Sequence, residues 1–328
     1  MKNLYVLCAS LSLLLVPACA SDDGSGGEPT SGATSGSGST SVTTGSGAGG
    51  GMGSGNTTGA GAGGMAPVDD LVLLIPNSDD DSIGIYDADD GSFIGNFLEP
   101  NMDTDAWAFS TPINAVQGPS GNIFVSDQVA DAVLEFDPSG AYVGIFADDG
   151  DGLDNIRGID FLGTDLLVSN SEGEAIARFD EAGMAASDFV ASSDFDPYDI
   201  FVAANGDVLV SQIAPVDEVQ LYPMGNTTAV TQLMTASFPQ QIAVTPEGNY
   251  LVASFSDDTI TEVTPAGQTV RTAEVESARG VYVLGNGHWL VTGGGGTGIV
   301  EIDPATGATV NTIADGPGFR FIEPATLP

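Results

Sequence analysis

A turn glycine that recurs at nearly constant intervals constrains this chain more than any other feature of its sequence. It occurs six times, 49, 43, 42, 42 and 40 residues apart, at Gly91, Gly140, Gly183, Gly225, Gly267 and Gly307. Each glycine follows an apolar residue, two variable residues, an aromatic or aliphatic residue and usually an aspartate, as over residues 83–87 and 133–137. This pattern is typical of a half-buried strand that enters a tight turn. A repeat of this length predicts an array of similar small sheets.

A second strand motif precedes the first one in each repeat. It is Gly-Asn-Ile-Phe-Val-Ser over residues 121–126, and related sequences occupy residues 206–211, 248–253 and 287–292, with a shorter form over 166–169. Its alternating pattern predicts a strand entered through a glycine turn. With an innermost strand before it and a short fourth strand, such as residues 142–146, each repeat supplies four strands. Four strands per ~40–45 residues is the spacing of a β-propeller blade.

The two ends of the repeat region complement each other. The first repeat begins with its second strand, over residues 71–75, and lacks an innermost strand, while the chain closes with an unpartnered apolar stretch over residues 318–322. We therefore expect the C-terminal strand to complete the first blade, which leaves no open seam between the first and last blades. The predicted fold class is all-β, a six-bladed β-propeller over residues 69–328.

These motifs resemble those of NHL-repeat proteins and of the wider superfamily of six-bladed propellers that includes SMP-30-like and lyase-like members. Residues 146–159, Phe-Ala-Asp-Asp-Gly-Asp-Gly-Leu-Asp-Asn-Ile-Arg-Gly-Ile, are similar to the interblade loop and inner strand of that group. The resemblance covers nearly all of residues 69–328 and implies the propeller fold. It implies no single function, because these propellers include binding modules, lactonases and lyases.

The N-terminal fifth of the chain has a different composition. Residues 1–18 have a charged start and a short apolar run, which indicates a secretory signal peptide that is too short to span a bilayer. Residues 15–19, Leu-Val-Pro-Ala-Cys, resemble the bacterial lipobox, in which the cysteine is acylated, although Pro17 departs from the usual pattern. An ordinary signal peptide with Cys19 incidental is the alternative. Residues 19–66 are rich in Gly, Ser and Thr, which predicts a disordered tether.

Acylation of Cys19 predicts a protein anchored to a membrane of the bacterial cell envelope, on the periplasmic or surface side of the outer membrane. The only other cysteine, Cys8, lies in the signal, so the repeat region holds no disulfide or cysteine metal site. The formal net charge is −39, and such a surface repels phosphate backbones, so we expect no nucleic-acid partner. Solubility in an extracytoplasmic or salty setting explains this charge, and attraction of cations or basic partners is the alternative.

One end of the propeller channel is the candidate ligand-binding site. Alignment of the inner strands places six polar residues at or near equivalent positions around it: Asn114, Arg157, Asp199, Gln241, Arg279 and Arg320. Three of the five arginines fall in this ring, and their guanidinium groups suit a carboxylate, phosphate or sulfate. We therefore expect an anionic small molecule, a glycan or a protein as partner. The alternative is that each arginine pairs with a local acid such as Asp160, Asp199 or Glu323.

Acidic turns are candidate calcium sites. The sequence from 148 to 154 approaches a D-x-D-G pattern and supplies four carboxylates, from Asp148, Asp149, Asp151 and Asp154. Carboxylate oxygens are hard ligands suited to Ca²⁺, but turn geometry alone also favours Asp and Gly here. No cofactor is required by any motif, and calcium is the one candidate ion.

Catalysis has few candidate residues. His288 is the only histidine, and its repeat equivalents Asn122, Asp207 and Asn249 mark it as a turn residue on the opposite face, which argues against a role in a Ser-His-Asp site. The resemblance to lactonases implies a divalent metal, for which Asn114, Asp199 and Glu323 are the candidate ligands, although arginines in the same ring oppose a cation.

Two tryptophans have different predicted roles. Trp107 lies in an acidic loop, where it packs between the first two blades or, alternatively, stacks on a sugar. Trp289 alternates into a strand and is expected in the core.

Three functions remain open at the level of sequence. The favoured one is a lipid-anchored, non-enzymatic module that binds a ligand or a protein through the channel face. The alternatives are a metal-dependent lactonase-type hydrolase and a structural surface protein.

Overall fold

Six small antiparallel sheets form a ring in the computed structural model, which describes residues 71–101 and 107–328. Each sheet has four strands, and the first strands of successive blades contact one another around a central channel. The fold is a six-bladed β-propeller, as the repeats predict. The signal peptide, the tether and Cys19 lie outside the described residues. No helix in the described part of the chain has the length and apolar character needed to cross a membrane.

The four strands of each blade follow one another from the channel to the outer rim. The innermost strands of blades 1 to 6 are β24 (Glu323–Thr326), β4 (Pro112–Gln117), β8 (Ile156–Leu162), β12 (Asp196–Val202), β16 (Pro239–Val244) and β20 (Ala278–Val283). The second strands are β1 (Leu71–Asn77), β5 (Ile123–Asp127), β9 (Asp165–Asn170), β13 (Val208–Ala214), β17 (Tyr250–Ser254) and β21 (Trp289–Gly293). The third strands are β2 (Ser82–Asp87), β6 (Ala132–Phe136), β10 (Ala175–Phe179), β14 (Glu218–Tyr222), β18 (Thr259–Val263) and β22 (Gly298–Asp303). The outermost strands are β3 (Phe93–Leu98), β7 (Tyr142–Ala147), β11 (Val190–Ala191), β15 (Thr231–Thr235), β19 (Thr269–Glu274) and β23 (Ala308–Ala314).

The recurrent glycine lies in the left-handed region of backbone space in every blade. Its φ angle is between 65° and 84° at all six positions. The preceding aspartate completes the turn, since Oδ1 of Asp137 accepts from the backbone N–H groups of Ser139 and Ala141 at 2.9 and 3.0 Å. Side chains with a Cβ are strained at this φ, which explains why glycine marks the repeat.

The C-terminal strand closes the first blade, as predicted, but over later residues than expected. β24 pairs antiparallel with β1 from Leu71 opposite Thr326 to Leu74 opposite Glu323. Residues 318–322 make only an isolated bridge to β1, between Phe319 and Asn77. The other five inner strands have register shifts at their starts, so residues 318–322 correspond to that irregular segment.

The apolar core lies between neighbouring blades. Trp107 packs against the cluster shared by blades 1 and 2, with its ring centroid 5.0 Å from that of Phe136, which confirms the packing alternative for this residue. Trp289 is 2 % exposed and belongs to the core between blades 5 and 6, as predicted. Truncation of a fully buried phenylalanine such as Phe136 to alanine typically costs about 3–5 kcal/mol.

Candidate functional site

Five of the six predicted site residues lie on inner strands, at two adjacent positions, and Arg320 lies in the segment that precedes β24. Ser126 in blade 2 and Thr292 in blade 6 occupy equivalent positions on the second strands. Ser126 lies opposite Asn114, whereas Thr292 lies opposite Gly280, so Arg279 is one residue earlier than the equivalent of Asn114. We call the residues at the position of Asn114 the channel residues; they are Asn114, Asp199 and Gln241. We call the arginines one residue earlier the mouth arginines; they are Arg157, Arg279 and Arg320.

The channel residues join each blade to the next. Nδ2 of Asn114 donates to the carbonyl oxygen of Ile159 at 3.2 Å, and Oδ2 of Asp199 accepts from the backbone N–H of Ile242 at 2.9 Å. Gln241 bonds the backbone of the following blade in the same way. All three side chains are at most 1 % exposed, so their hydrogen bonds contribute to the stability of the ring. Their burial also limits their contact with a ligand at the surface.

Three carboxyl groups share the channel, and burial favours their protonated forms. Burial raises the pKa of Asp160 to about 7, although hydrogen bonds from the N–H groups of Val202 and Phe161 act in the opposite direction. Burial, followed by the charge of Asp160, raises the pKa of Asp199 well above its ordinary value. The pKa of Glu323 is raised by burial and then by the charges of Asp160 and Asp199. The channel is therefore less negative than its sequence indicates.

The side chains that the resemblance to lactonases implies as metal ligands lie close to one another. Nε2 of Gln241 donates to Oε1 of Glu323 at 2.9 Å, and Asn114 also bonds this carboxyl group. Oδ2 of Asp199 is directed at a backbone N–H. Among the described residues, no group of three or more His, Cys, Asp or Glu side chains has the geometry to hold a metal ion. The buried Oδ1 atoms of Asn114 and Asp199 have no hydrogen-bond partner among the described residues.

An apolar layer closes the channel near the mouth arginines. The rings of Tyr198 and Phe321 come from blades 4 and 1, which face each other across the ring, and their centroids are 6.1 Å apart. Ile113 of blade 2 completes this buried cluster. A ligand at the mouth arginines therefore contacts the surface above this layer.

Arg157 is paired with a carboxylate, although its buried Nε has no hydrogen-bond partner among the described residues. Its Nη1 lies 2.9 Å from Oδ1 of Asp196, and its guanidinium carbon lies 4.6 Å from the ring centroid of Tyr198. The alternative in which an arginine pairs with a local acid therefore applies to Arg157, and the acid is Asp196.

Arg279 and Arg320 carry charge that no carboxylate neutralises by direct contact. Within the described residues, the other three arginines each form an ion pair, whereas these two form none. Arg279 donates to the carbonyl oxygens of Pro317 and Phe319, and Nε of Arg320 donates to Oγ of Ser78 at 2.8 Å. The buried Nε of Arg279 has no hydrogen-bond partner.

All three mouth arginines interact electrostatically with the hydroxyl group of Tyr198. Burial raises the pKa of Tyr198, and the charges of Arg157, Arg320 and Arg279 all oppose that rise. Burial, followed by repulsion from Arg320, lowers the pKa of Arg279 below its ordinary value. Two partly buried guanidinium groups that repel each other are an arrangement that an anion would stabilise.

The aromatic part of the mouth was not identified from the sequence. Phe238 lies 5.3 Å from Tyr198 and 5.7 Å from Phe255, measured between ring centroids, and Arg279 lies 5.5 Å from the ring of Phe255. The sequence signal that could have identified it is Phe238, which immediately precedes the inner strand of blade 5.

The candidate calcium carboxylates form a capped turn. Asp148 caps a single 3₁₀ turn over Asp149–Asp151, accepting from the N–H of Gly150 at 2.9 Å, and Asp151 accepts from the N–H of Asp148 at 3.3 Å. Asp154 follows the turn and is exposed. These contacts agree with the turn-chemistry alternative.

His288 lies in the hairpin between β20 and β21, at the end of the strands away from the mouth arginines. Its Nδ1 is 2.6 Å from Oε1 of Glu301, and its backbone N–H donates to Asn286. This placement in a turn agrees with its predicted position.

Comparison with solved structures supports the fold. No protein-family model and no curated protein matches the chain. A structure of a nidogen/laminin complex superposes with a TM-score of 0.65 at 12 % identity, over 78 % of this chain and 98 % of that chain. A protein of unknown function from Bacteroides caccae has a TM-score of 0.54 at 16 % identity, over 78 % and 98 %.

A gluconolactonase from Xanthomonas campestris is also similar in structure. Its TM-score is 0.53 at 17 % identity, over 80 % of this chain and 91 % of that chain. At these identities the similarity establishes a six-bladed propeller and leaves function to the residues of the site.

Proposed function

We propose that this protein is a non-enzymatic binding module that holds a small anion at the mouth arginines. Acylation at Cys19 and the tether up to residue 66 would anchor it to the bacterial cell envelope and leave the propeller free to reach its ligand. The partners in this proposal are a membrane, through the lipid, and an anionic small molecule, glycan or protein segment.

The uncompensated pair Arg279 and Arg320 carries this proposal. The chain has 45 acidic residues, yet no carboxylate contacts either guanidinium among the described residues. Keeping two like charges partly buried is unfavourable unless hydrogen bonds to an anion offset the cost. A bound anion supplies these bonds.

Calorimetric titration of the full-length protein tests the proposal. Acetate, benzoate, sulfate and phosphate are titrated at constant ionic strength into the unmodified protein and into Arg279→Ala and Arg178→Ala. We expect saturable binding of at least one anion, weakened about tenfold or more by Arg279→Ala, since a charge-assisted hydrogen bond contributes roughly 1.5–3 kcal/mol. Arg178→Ala removes the same charge from an ion pair with Asp165 and should leave binding unchanged. Equal affinity in all three proteins would contradict the proposal.

A lactonase-type hydrolase is the second candidate. The similarity to a gluconolactonase and the proximity of Asn114, Asp199 and Glu323 favour it. The test is the metal content of the dialysed full-length protein, its melting with and without chelator, and its hydrolysis of gluconolactone. Stoichiometric metal with hydrolysis that Asp199→Asn abolishes would support this candidate. Absence of both would leave the binding module.

A further inference from the structure

We infer that the ligand of the mouth arginines is a carboxylate monoanion carried on a flat apolar body, such as an aryl carboxylate. This inference rests on the proposed function and adds the chemical class of the ligand. Aromatic rings beside the arginines, a strained phenylalanine and the charge of the surrounding loops support it.

Arg279 lies beside one of two adjacent half-buried rings. Phe238 and Phe255 lie 5.7 Å apart, and the guanidinium carbon of Arg279 lies 5.5 Å from the centroid of Phe255. A ligand whose anionic group binds Arg279 therefore has apolar ring surface next to it. Flat apolar groups pack on such surface, and a bare inorganic anion gains nothing from it.

Phe238 occupies a backbone conformation that suits a small polar residue. It directly precedes the inner strand β16 with φ of 54°. Asn155 directly precedes β8 with φ of 55°, and Ser277 directly precedes β20 with φ of 52°. A bulky residue in this region is strained, and such strain concentrates at ligand sites. The side chain of Phe238 therefore lies at the mouth although its backbone conformation favours a small polar residue.

The surrounding charges favour a monoanion over a dianion. Asp79 interacts electrostatically with both Arg279 and Arg320, and the exposed Asp257 and Asp258 follow Phe255 in the adjacent loop. A phosphate or sulfate dianion meets twice the repulsion from these groups that a carboxylate does.

The hydrogen-bonding capacity of the pair also suits a carboxylate. Nη1 of Arg279 and Nε of Arg320 already donate to the protein, whereas Nη2 of both has no hydrogen-bond partner among the described residues. A carboxylate can accept from both guanidinium groups through its two oxygens.

A matched ligand series on the full-length protein tests the inference. Sodium benzoate, sodium acetate, inorganic phosphate and the neutral benzyl alcohol are titrated at constant ionic strength. We expect benzoate to bind about tenfold or more tightly than acetate and phosphate, and benzyl alcohol to show no saturation. Arg320→Ala should weaken benzoate and acetate alike, which places both probes at the arginine pair.

The variant Phe238→Asn isolates the contribution of the ring. Asparagine is the residue that blade 3 has at this position, so the fold should be retained, as checked by its melting temperature. Benzoate affinity should fall to the level of acetate, and acetate affinity should not change. Phe255→Leu serves as the second variant if Phe238→Asn melts early, and Phe93→Asn, on an outermost strand, is the control.

The outcomes separate this inference from the proposed function. If acetate or phosphate binds as tightly as benzoate, and the ring variants change nothing, the inference is overturned while the anion site stands. If no anion binds, both are overturned.

Discussion

At the scale of single residues, Asp199 makes the stability of the propeller depend on pH. Its carboxyl group is 1 % exposed and its pKa is raised by burial, so the folded chain holds a proton that the unfolded chain releases above its ordinary pKa. The folded state then binds more protons than the unfolded state as pH rises from the unfolded pKa toward the folded one. Stability therefore decreases with rising pH across that window.

The variant Asp199→Asn should remove this dependence. We expect it to be more stable than the unmodified protein at pH 8.5 and close to it at pH 4, because its amide does not ionise and Oδ1 can still accept from Ile242. Urea unfolding at both pH values measures the difference. Asp149→Asn, in an exposed turn, controls for the loss of one negative charge. A variant that is less stable at pH 8.5 than at pH 4, relative to the unmodified protein, would contradict this account.

Gly158 shows how closely neighbouring inner strands approach. A Cβ at this position would lie 2.6 Å from Cα of Asp199 and 3.0 Å from the carbonyl oxygen of Tyr198. Gly158→Ala should therefore destabilise the fold by about 1–3 kcal/mol, measured by urea unfolding, because backbone atoms cannot yield as a flexible side chain can. Gly144→Ala, in β7 with open space around it, should have little effect. Equal stability of the two variants would refute the close approach.

At the scale of strands, closure of the first blade depends on β24. This strand pairs with β1 and carries the buried Ala325, and the buried Leu327 follows it. Truncation after Ile322 exposes the edge of β1 and removes both apolar side chains. We expect a loss of more than about 3 kcal/mol in urea unfolding, since truncating one buried leucine alone costs about 2–5 kcal/mol. Removal of the exposed Pro328 alone is the control, and an unchanged midpoint after the longer truncation would show that closure contributes little.

Strand patterns could be predicted because each blade repeats the same local chemistry. Glycine in the left-handed turn and the apolar pattern specify the second and third strands, and both are found where the sequence places them, with ends that differ by a few residues. The irregular starts of the inner strands have no such signature. The closing strand was consequently expected over residues 318–322, and the mouth arginines and channel residues were placed on one ring although they occupy two positions.

The hydrogen bonds of the channel residues could not be predicted from local sequence patterns either. Asn114, Asp199 and Gln241 bond the backbone of a different blade, and contacts between blades follow from the assembled ring. The same holds for the convergence of Tyr198, Phe238 and Phe255 at the mouth. The arginines could be identified from the sequence because the chain contains only five of them. Phenylalanines are common in any core, so the sequence did not single out those at the mouth.

At the scale of the whole molecule, the fold is established and the function is a proposal. The ring of six blades is a scaffold that carries unrelated functions, so the solved structures that resemble it do not select one. The net charge of −39 makes an uncompensated pair of arginines unusual in this chain. That contrast is the basis of the proposed anion site.

The arginine side chains themselves give the most direct test of this site. The chain contains five arginines, so the Nε–H resonances of a ¹⁵N-labelled full-length sample are few and can be assigned with single Arg→Lys variants. During titration with benzoate we predict saturable shifts of the Arg279 and Arg320 resonances and none for Arg178 and Arg271, which are paired with carboxylates. Equal shifts of all five resonances, or none at Arg279 and Arg320, would contradict the anion site.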